Sequence, residues 1–189
     1  MSGIRVEVDI PDWAAALEGR GEVFASEEDR MRLAIELSRQ NVERRAGGPF
    51  GAAVFEAGSG RLVAVGVNSV VRLNNSVLHA EVVAFMRAQS SLRSFTLAAP
   101  GMPAHELFSS CEPCAMCLGA ILWSGVRRVL FAARRDDAER VDFDEGPVFP
   151  ESFAYLRRRG VRVESGPLRE EARAVLQRYR ELGGEVYNG

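Results

Sequence analysis

The stretch Ser110–Ala133, SCEPCAMCLGAILWSGVRRVLFAA, contains all three cysteines of the chain and sets the interpretation of the sequence around it. An apolar helix is expected from Pro113 to Trp123, since proline suits the first helical position, where its missing N–H costs nothing. Short strands are predicted on either side, over Glu106–Ser109 and Arg128–Ala133. The helix is apolar on nearly every side, so we expect it to be buried, with Trp123 in the core. The stretch therefore predicts a β-α-β unit within an α/β fold.

The segments on both sides of this unit follow helical or strand periodicity. Ser26 starts a capping box before an amphipathic helix that runs to Gly47-Gly48, and a glycine loop at Gly58–Gly60 joins two apolar runs into a hairpin that is buried on both faces. Further elements are predicted as strands at Ala52–Phe55, Leu62–Val67 and Val161–Val163, and as helices at His79–Gln89, Phe153–Arg159 and Leu168–Leu182. A hairpin followed by alternating strands and helices indicates a three-layer α-β-α sandwich with a mixed sheet of about five strands.

Composition favours a single globular domain. The chain has 189 residues, of which 47% are hydrophobic, and this length is sufficient for one core. We assign residues 26–189 to that domain and residues 1–25 to an N-terminal extension whose packing the sequence does not predict. No segment has the apolar length of a membrane span or the pattern of a signal peptide, so we expect no membrane association.

Charge and cysteine content narrow the class of protein further. A net charge of −2 argues against nucleic-acid binding as a main role. All 24 basic residues are arginine, which excludes Schiff-base chemistry and a phosphate-binding P-loop, because both need lysine. Three cysteines within Cys111–Cys117 cannot form a disulfide framework and indicate metal-binding or catalytic thiols in a reducing compartment. We therefore expect a cytoplasmic protein.

Two of the cysteines have the spacing of metal ligands. Cys114 and Cys117 lie three residues apart in the first turn of the predicted helix, where the helix dipole favours thiolates. Cys111 precedes that helix and is interpreted as a small buried hydrophobic residue. His79 opens the other apolar helix, whereas His105 has no partner signal and is interpreted as a surface or hydrogen-bonded histidine.

These residues predict a catalytic zinc site. His79, Cys114 and Cys117 leave one position of a tetrahedral zinc ion open for water, and Glu81 is expected beside that position as general base. A Cys-x-x-Cys pair alone also fits a redox pair or half of a structural zinc site, and His-x-Glu alone carries little information. Together they match H-x-E…P-C-x-x-C, the signature of zinc-dependent nucleobase deaminases. We expect one Zn²⁺ per chain.

Three blocks of sequence resemble the cytidine-deaminase superfamily, and within it the purine-acting branch that contains bacterial guanine deaminases. They are GPFGAAVF at Gly48–Phe55, HAEVVAF at His79–Phe85, and Ser110–Ala133. The similarity extends from roughly residue 26 to the C-terminus and implies a cytidine-deaminase-like fold, a purine base as substrate and a homodimer. The related tRNA adenosine deaminases share the same zinc blocks, so these blocks do not separate the two activities.

The loop VDFDEG, Val141–Gly146, favours guanine. It is similar to guanine deaminases in placing an aromatic residue shortly before an acidic one. Guanine presents N1–H and its 2-amino group as adjacent donors, which an ionised carboxylate can accept, whereas adenine has an acceptor at N1. We favour Glu145 over Asp144 for this role, and an ordinary solvated acidic loop is the alternative.

Further site residues follow from the resemblance. Asn68 corresponds to an asparagine that binds the base in this superfamily, and Phe50 and Phe143 are expected to stack on opposite faces of the base. For Phe50, core packing is an equal alternative. In some guanine deaminases the C-terminal segment closes over a partner's site, and Glu185–Asn188 could do so here, although a frayed terminus is the simpler explanation.

The resulting hypothesis is hydrolysis of guanine to xanthine and ammonia. Zinc-activated water attacks C2, Glu81 transfers protons, and Glu145 binds the base and relays protons. Ammeline and related aminotriazines offer a similar donor edge and are expected as secondary substrates. The alternatives are a tRNA adenosine deaminase, which requires a basic RNA-facing groove, and a catalytically silent zinc-binding interaction module, which has no use for Glu81.

Overall fold

The computed structural model describes residues 6–18 and 22–188, and these form five strands and eight helices. The strands are β1 (Gly51–Glu56), β2 (Leu62–Val67), β3 (His105–Cys111), β4 (Arg128–Ala133) and β5 (Arg162–Ser165). The helices are α1 (Asp12–Ala15), α2 (Glu27–Glu43), α3 (Val70–Leu73), α4 (Ala80–Ser91), α5 (Ala115–Ser124), α6 (Arg135–Glu139), α7 (Pro150–Arg158) and α8 (Arg169–Glu181). Across these two ranges, no helix has the length and apolar character that crossing a membrane requires.

The strands form one mixed sheet in the order β2-β1-β3-β4-β5. β1 is antiparallel to both β2 and β3, whereas β3, β4 and β5 run parallel. β1 and β2 form the predicted hairpin. In the parallel part, the crossover from β3 to β4 contains α5 and the crossover from β4 to β5 contains α7. The prediction of a mixed sheet of about five strands is therefore confirmed.

Helices cover both faces of the sheet, which confirms the three-layer sandwich. α2 and α8 pack together on one face, while α4 contacts β1, β2 and α5 on the other face and α7 contacts β5. Alternate strand residues belong to two separate apolar clusters, because successive side chains of a strand point to opposite faces. Phe55, Phe108 and Leu130 lie in the cluster with α2 and α8, and Leu107 and Val129 lie in the other.

Every predicted helix and strand is present, but three short helices were not predicted. α1, α3 and α6 have four or five residues each, and so short a segment cannot establish a helical period in sequence. The predicted start of α5 was also wrong. Cys114 has extended backbone angles and is the N-cap, so Pro113 precedes the helix instead of occupying its first position.

The burial of the two apolar helices was only partly predicted. Trp123 on α5 is 77% exposed and Met86 on α4 is 43% exposed, so the assignment of Trp123 to the core was wrong. Both side chains lie on the outer face of the helical layer, which no other element of the described chain covers. His105 is buried at the start of β3, with Nδ1 2.8 Å from the carbonyl oxygen of Leu97, as the hydrogen-bonded interpretation requires.

The described part of the N-terminal extension packs against the domain. Ile10 and Ala14 are buried in the α2 side of the core. Glu18 accepts a hydrogen bond from the backbone N–H of Val65 (2.8 Å) and forms an ion pair with Arg87. Since β2 is an edge strand, this contact pairs one of its outward N–H groups and protects the edge of the sheet.

Candidate active site

Two helix N-termini form the centre of the site. His79 is the N-cap of α4 and Cys114 is the N-cap of α5, and both have extended backbone angles. Glu81 and Cys117 lie in the first turns of the same two helices. The N-terminus of a helix carries partial positive charge, so this arrangement favours the ionised forms of the thiols and the carboxylate.

The side chains of His79, Cys114 and Cys117 form a group that could hold a metal ion. Their ligand atoms all lie within 4.8 Å of one another. Nδ1 of His79 is 3.4 Å from Sγ of Cys114 and 3.7 Å from Sγ of Cys117. Tetrahedral zinc with ordinary Zn–S and Zn–N bonds separates sulfur from nitrogen by about 3.5 Å. The donor set therefore fits zinc bound through Nδ1 of the histidine.

Of the two cysteines in the donor set, only Cys114 has a lowered pKa. Hydrogen bonding by Cys117 lowers the pKa of Cys114 to about 4, aided by the hydrogen bond and charge of His79 and opposed by burial. The pKa of Cys117 is raised well above its ordinary value by its hydrogen bond to Cys114 and by burial. Burial opposes protonation of His79, but the hydrogen bond and charge of Cys114, with the charge of Glu81, raise its pKa overall.

Cys111 is separate from this group. It is buried at the end of β3, and its Sγ lies 3.9 Å from the carbonyl oxygen of Arg134. Burial, followed by the charge of Glu145, raises the pKa of this thiol well above its ordinary value. Its Sγ does not belong to the group of donor atoms formed by His79, Cys114 and Cys117, in agreement with its interpretation as a small buried residue.

Glu81 points its carboxylate at the donor set. Oε2 lies 3.4 Å from Sγ of Cys117, and Oε1 accepts a hydrogen bond from the hydroxyl of Ser109 (3.1 Å). Burial, followed by the charge of Cys114, raises the pKa of this carboxyl. Sequence reasoning missed Ser109, because the same strand also carries His105, Glu106 and Ser110, so that polarity alone does not single out this residue.

The two neighbouring carboxylates of the acidic loop after α6 both border the cavity, but only one of them is buried. Glu145 is 8% exposed and lies beside the donor set, whereas Asp144 is exposed and its Oδ1 accepts the N–H of Gly146 (2.8 Å). Burial, then the charges of Cys114 and Glu81, raises the pKa of Glu145 to about 8. The guanidinium of Arg135 donates to the carbonyl oxygens of Gly146 and Val148 and so holds this loop.

Asn68 follows β2 and is fully buried, and it is not among the residues that line the cavity beside the donor set. Its Oδ1 accepts a hydrogen bond from the N–H of Val70 (3.3 Å), and its Nδ2 has no partner within the described ranges. Phe50 and Phe143 line the cavity, but they contact each other edge to face with their centroids 5.0 Å apart. This contact is the core packing that was the alternative for Phe50, and the stacking of both rings on a base stays a prediction.

The cavity enclosed by these residues is small. Its volume is about 30 Å³, which is room for roughly two water molecules. Its walls combine the side chains of His79, Glu81, Cys114 and Glu145 with the rings of Phe50 and Phe143.

The C-terminal segment covers this cavity in its own chain. Tyr187 packs edge to face on Phe143 (5.2 Å), and its hydroxyl lies against Gly48, where a Cβ would overlap it. Asn188 donates to the carbonyl oxygen of Asp142 and accepts the N–H of Asp144, both at 2.8 Å. Residues 185–188 are therefore docked rather than frayed, and they lie over the site of their own chain.

Comparison with known proteins agrees with this geometry. Residues 25–133 match the family model for the cytidine and deoxycytidylate deaminase zinc-binding region. The solved structure of a guanine deaminase from Nitrosomonas europaea is 43% identical, covers 94% of this chain and 97% of that one, and superposes with a TM-score of 0.90.

Two relatives have the two activities, guanine deamination and tRNA adenosine deamination, that share the same zinc-binding sequence blocks. The guanine deaminase of Bacillus subtilis is 36% identical over 121 residues, which are 64% of this chain and 73% of the relative. The tRNA-specific adenosine deaminase of Buchnera aphidicola is 26% identical over 150 residues, which are 79% of this chain and 90% of the relative. The chain belongs to the cytidine and deoxycytidylate deaminase family of zinc-binding enzymes, in the branch of the guanine deaminases.

Proposed function

We propose that this protein hydrolyses guanine to xanthine and ammonia. The observation that carries the proposal is the buried carboxylate of Glu145, which lines the same cavity as Glu81 and the metal-binding group. In its ionised form this carboxylate would match the adjacent N1–H and 2-amino donors of guanine and would repel the N1 acceptor of adenine. Since its pKa is about 8, binding of guanine must also favour the ionised form. The guanine deaminases among the similar proteins support the same substrate.

His79, Cys114 and Cys117 would hold one zinc ion per chain. The sulfur–nitrogen distances and the low pKa of Cys114 support this set, because a ligand thiol must give up its proton before it binds. Bound zinc supplies Lewis acidity and brings the pKa of a water molecule to about 7. Three protein ligands, with a carboxylate beside them, are the arrangement of a catalytic site and argue against a catalytically silent zinc module.

Glu81 would take the proton of the attacking water and deliver it to the leaving 2-amino group. The hydroxyl of Ser109 holds Oε1, which leaves Oε2 facing the donor set. The raised pKa of this buried carboxyl brings it closer to neutral pH, where a general base and a general acid are both effective.

Glu145 would bind the donor edge of guanine and relay protons between the 2-amino group and the ring. Its pKa of about 8 suits proton exchange near neutral pH. Asn68 would donate its unpaired Nδ2 to the base, and Phe50 would pack on one face of the ring, with Phe143 displaced from its present contact to reach the other. Asp144, which is exposed and caps the loop, would contribute to loop geometry.

The C-terminal segment would have to open for substrate to enter. A purine base does not fit in a cavity of about 30 Å³. Displacement of Tyr187 and Asn188 breaks one aromatic contact and two hydrogen bonds, which is a small set of interactions for a movable cover. A covered cavity with acidic walls favours a free base over a tRNA stem-loop, and ammeline and similar aminotriazines over nucleosides.

A homodimer is part of this proposal. Met86, Trp123 and Tyr155 are exposed apolar side chains of α4, α5 and α7, which lie on the same side of the sheet. A second copy of this chain would cover them, since an exposed apolar face of this kind is typical of an interface. Free thiols at the metal site fit a reducing compartment, and we propose that the protein acts in the cytoplasm.

The test is an ammonia-release assay with guanine, guanosine, adenine, ammeline and a tRNA anticodon stem-loop, with metal content measured in the same preparation. We expect the highest kcat/KM on guanine, lower activity on ammeline, and none on adenine or the stem-loop. Deamination of the stem-loop without guanine activity would assign the protein to the adenosine deaminases. Sedimentation of wild type and Trp123→Arg at equal concentration tests the dimer, which the arginine should dissociate.

A further inference from the structure

Asn41 joins the loop that carries Phe50 to the segment that follows β2. It lies on α2, is fully buried, and donates through Nδ2 to the carbonyl oxygen of Gly48 (2.8 Å) and to that of Asn68 (3.0 Å). Gly48 belongs to the loop that carries Phe50, and Asn68 follows β2. One side-chain amide therefore holds both segments in register.

The packing around this amide allows little movement. A Cβ at Gly47 would overlap the carbonyl oxygen of Asn68 and would lie 2.8 Å from Nδ2 of Asn41. The Oδ1 of Asn68 is also held, by the N–H of Val70, and only its Nδ2 lacks a partner in the part of the chain described. Because a buried unpaired donor is unfavourable, this atom is best explained by a ligand that accepts its hydrogen bond.

The side-chain amide of Asn41 serves these two segments alone. Its Nδ2 donates to the carbonyl oxygens of Gly48 and Asn68, and its Oδ1 is buried without a hydrogen-bond partner within the described residues. A leucine of similar volume would remove the unpaired oxygen, but it would leave the carbonyl oxygen of Asn68 without its donor. We propose that Asn41 is a positioning residue, which aims the Nδ2 donor of Asn68 at the purine base through the backbone of Asn68. This inference rests on the proposed role of Asn68 in substrate binding.

A double-mutant cycle tests the proposal in the full-length, zinc-loaded protein. Asn41→Leu and Asn41→Asp each remove the donor with little change of volume. In the wild-type background we expect the KM for guanine to rise about tenfold with a smaller change of kcat. In an Asn68→Ala background the same changes should alter KM by less than about twofold, since no side chain is left to aim.

Arg30→Met is the matched control. Arg30 is also buried on α2, donates to the carbonyl oxygen of Phe24 and pairs with Glu106, away from the cavity. This variant should lower the melting temperature and leave KM unchanged. The proposal would be overturned if Asn41→Leu raised KM by the same factor in the wild-type and the Asn68→Ala backgrounds. It would also be overturned if KM changed in neither background.

Hydrogen exchange separates this inference from the proposed function. If wild type releases no ammonia from guanine, the function is wrong, and amide exchange then decides the positioning role. Asn41→Leu should accelerate exchange in residues 47–51 and 68–70 relative to residues 128–133, with zinc content unchanged. The positioning role is refuted if exchange in those two segments is unaltered.

Discussion

Asp137 and Glu145 are buried carboxylates close together in sequence, and their surroundings have opposite effects on them. Burial opposes ionisation of Asp137, but hydrogen bonds from Arg169 and from the backbone N–H of Arg134 outweigh it and lower the pKa. Burial raises the pKa of Glu145 to about 8, and the charges of Cys114 and Glu81 add to this effect.

The difference depends on where the arginines point. Arg169 and Arg140 turn their guanidinium groups to Asp137, whereas Arg135 uses its own on the backbone carbonyls of Gly146 and Val148. Arg135 therefore holds the loop of Glu145 and forms its ion pair with Glu139, and its charge only partly offsets the raised pKa of Glu145. A paired buried carboxylate stabilises the fold, and an unpaired one beside a metal-binding group is available for chemistry.

The largest effect is expected from a change in the metal-binding group. Cys117→Ala removes one of three donors and should abolish zinc binding and guanine turnover together. Metal analysis and ammonia release on the purified variant measure both. Cys111→Ala is the control, and it should retain full zinc, because Sγ of Cys111 lies outside the donor group. Zinc retention in Cys117→Ala would contradict the proposed ligand set.

Glu81→Gln should have the next largest effect. The amide keeps the size of the side chain and leaves the three metal ligands in place, so zinc content and melting temperature should be unchanged. It cannot transfer a proton, and kcat should fall by at least about 100-fold. Steady-state kinetics with metal analysis provide the measurement, and near-normal turnover would remove Glu81 from the mechanism.

Glu145→Gln tests the role of the carboxylate that lines the cavity. An amide nitrogen would face the donors of guanine, and the charge-assisted component of the hydrogen bonds would be lost, so kcat/KM should fall about 10- to 100-fold. Asp144→Asn should have a much smaller effect, because Asp144 is exposed and outside this contact. Similar kinetics for wild type and Glu145→Gln would make the loop an ordinary acidic surface.

Asp137→Asn tests the paired carboxylate of the comparison, and it should affect stability alone. Loss of the charge that Arg169 and Arg140 contact should lower the free energy of unfolding by about 1–3 kcal/mol, with kcat and KM unchanged. Urea unfolding at neutral pH and guanine kinetics on the same preparation measure these quantities. A change of kcat without a change of stability would show that Asp137 is coupled to the cavity.

The pH dependence of this stability effect has a definite sign. The pKa of Asp137 is lower in the folded protein than in the unfolded chain, so its contribution is fully present above the ordinary aspartate pKa of about 3.9. It is lost as the pH falls through the lower native pKa. The difference in unfolding free energy between wild type and Asp137→Asn should therefore be constant above about pH 5 and shrink below about pH 4.

The sequence by itself determined the elements and the metal-binding group. Helical and strand periodicities are local, and they predicted the strands and the longer helices. His79 and Cys114 cap two of these helices, and Glu81 and Cys117 lie in their first turns. The preference for Glu145 over Asp144 came from a resemblance and stays a prediction, and the structure adds that Glu145 is buried and Asp144 exposed. These features depend on residues that are neighbours along the chain.

Only the tertiary structure decided which polar groups meet. Ser109, Asn41 and Arg135 act on segments far from them in sequence, and no periodicity relates a side chain to a distant backbone carbonyl. The exposure of Trp123 also follows from what lies outside the helix rather than from the helix itself. Burial and hydrogen-bond pairing are properties of the whole fold, and they set the pKa of Glu145 high and that of Asp137 low, although both are acidic residues of one short segment.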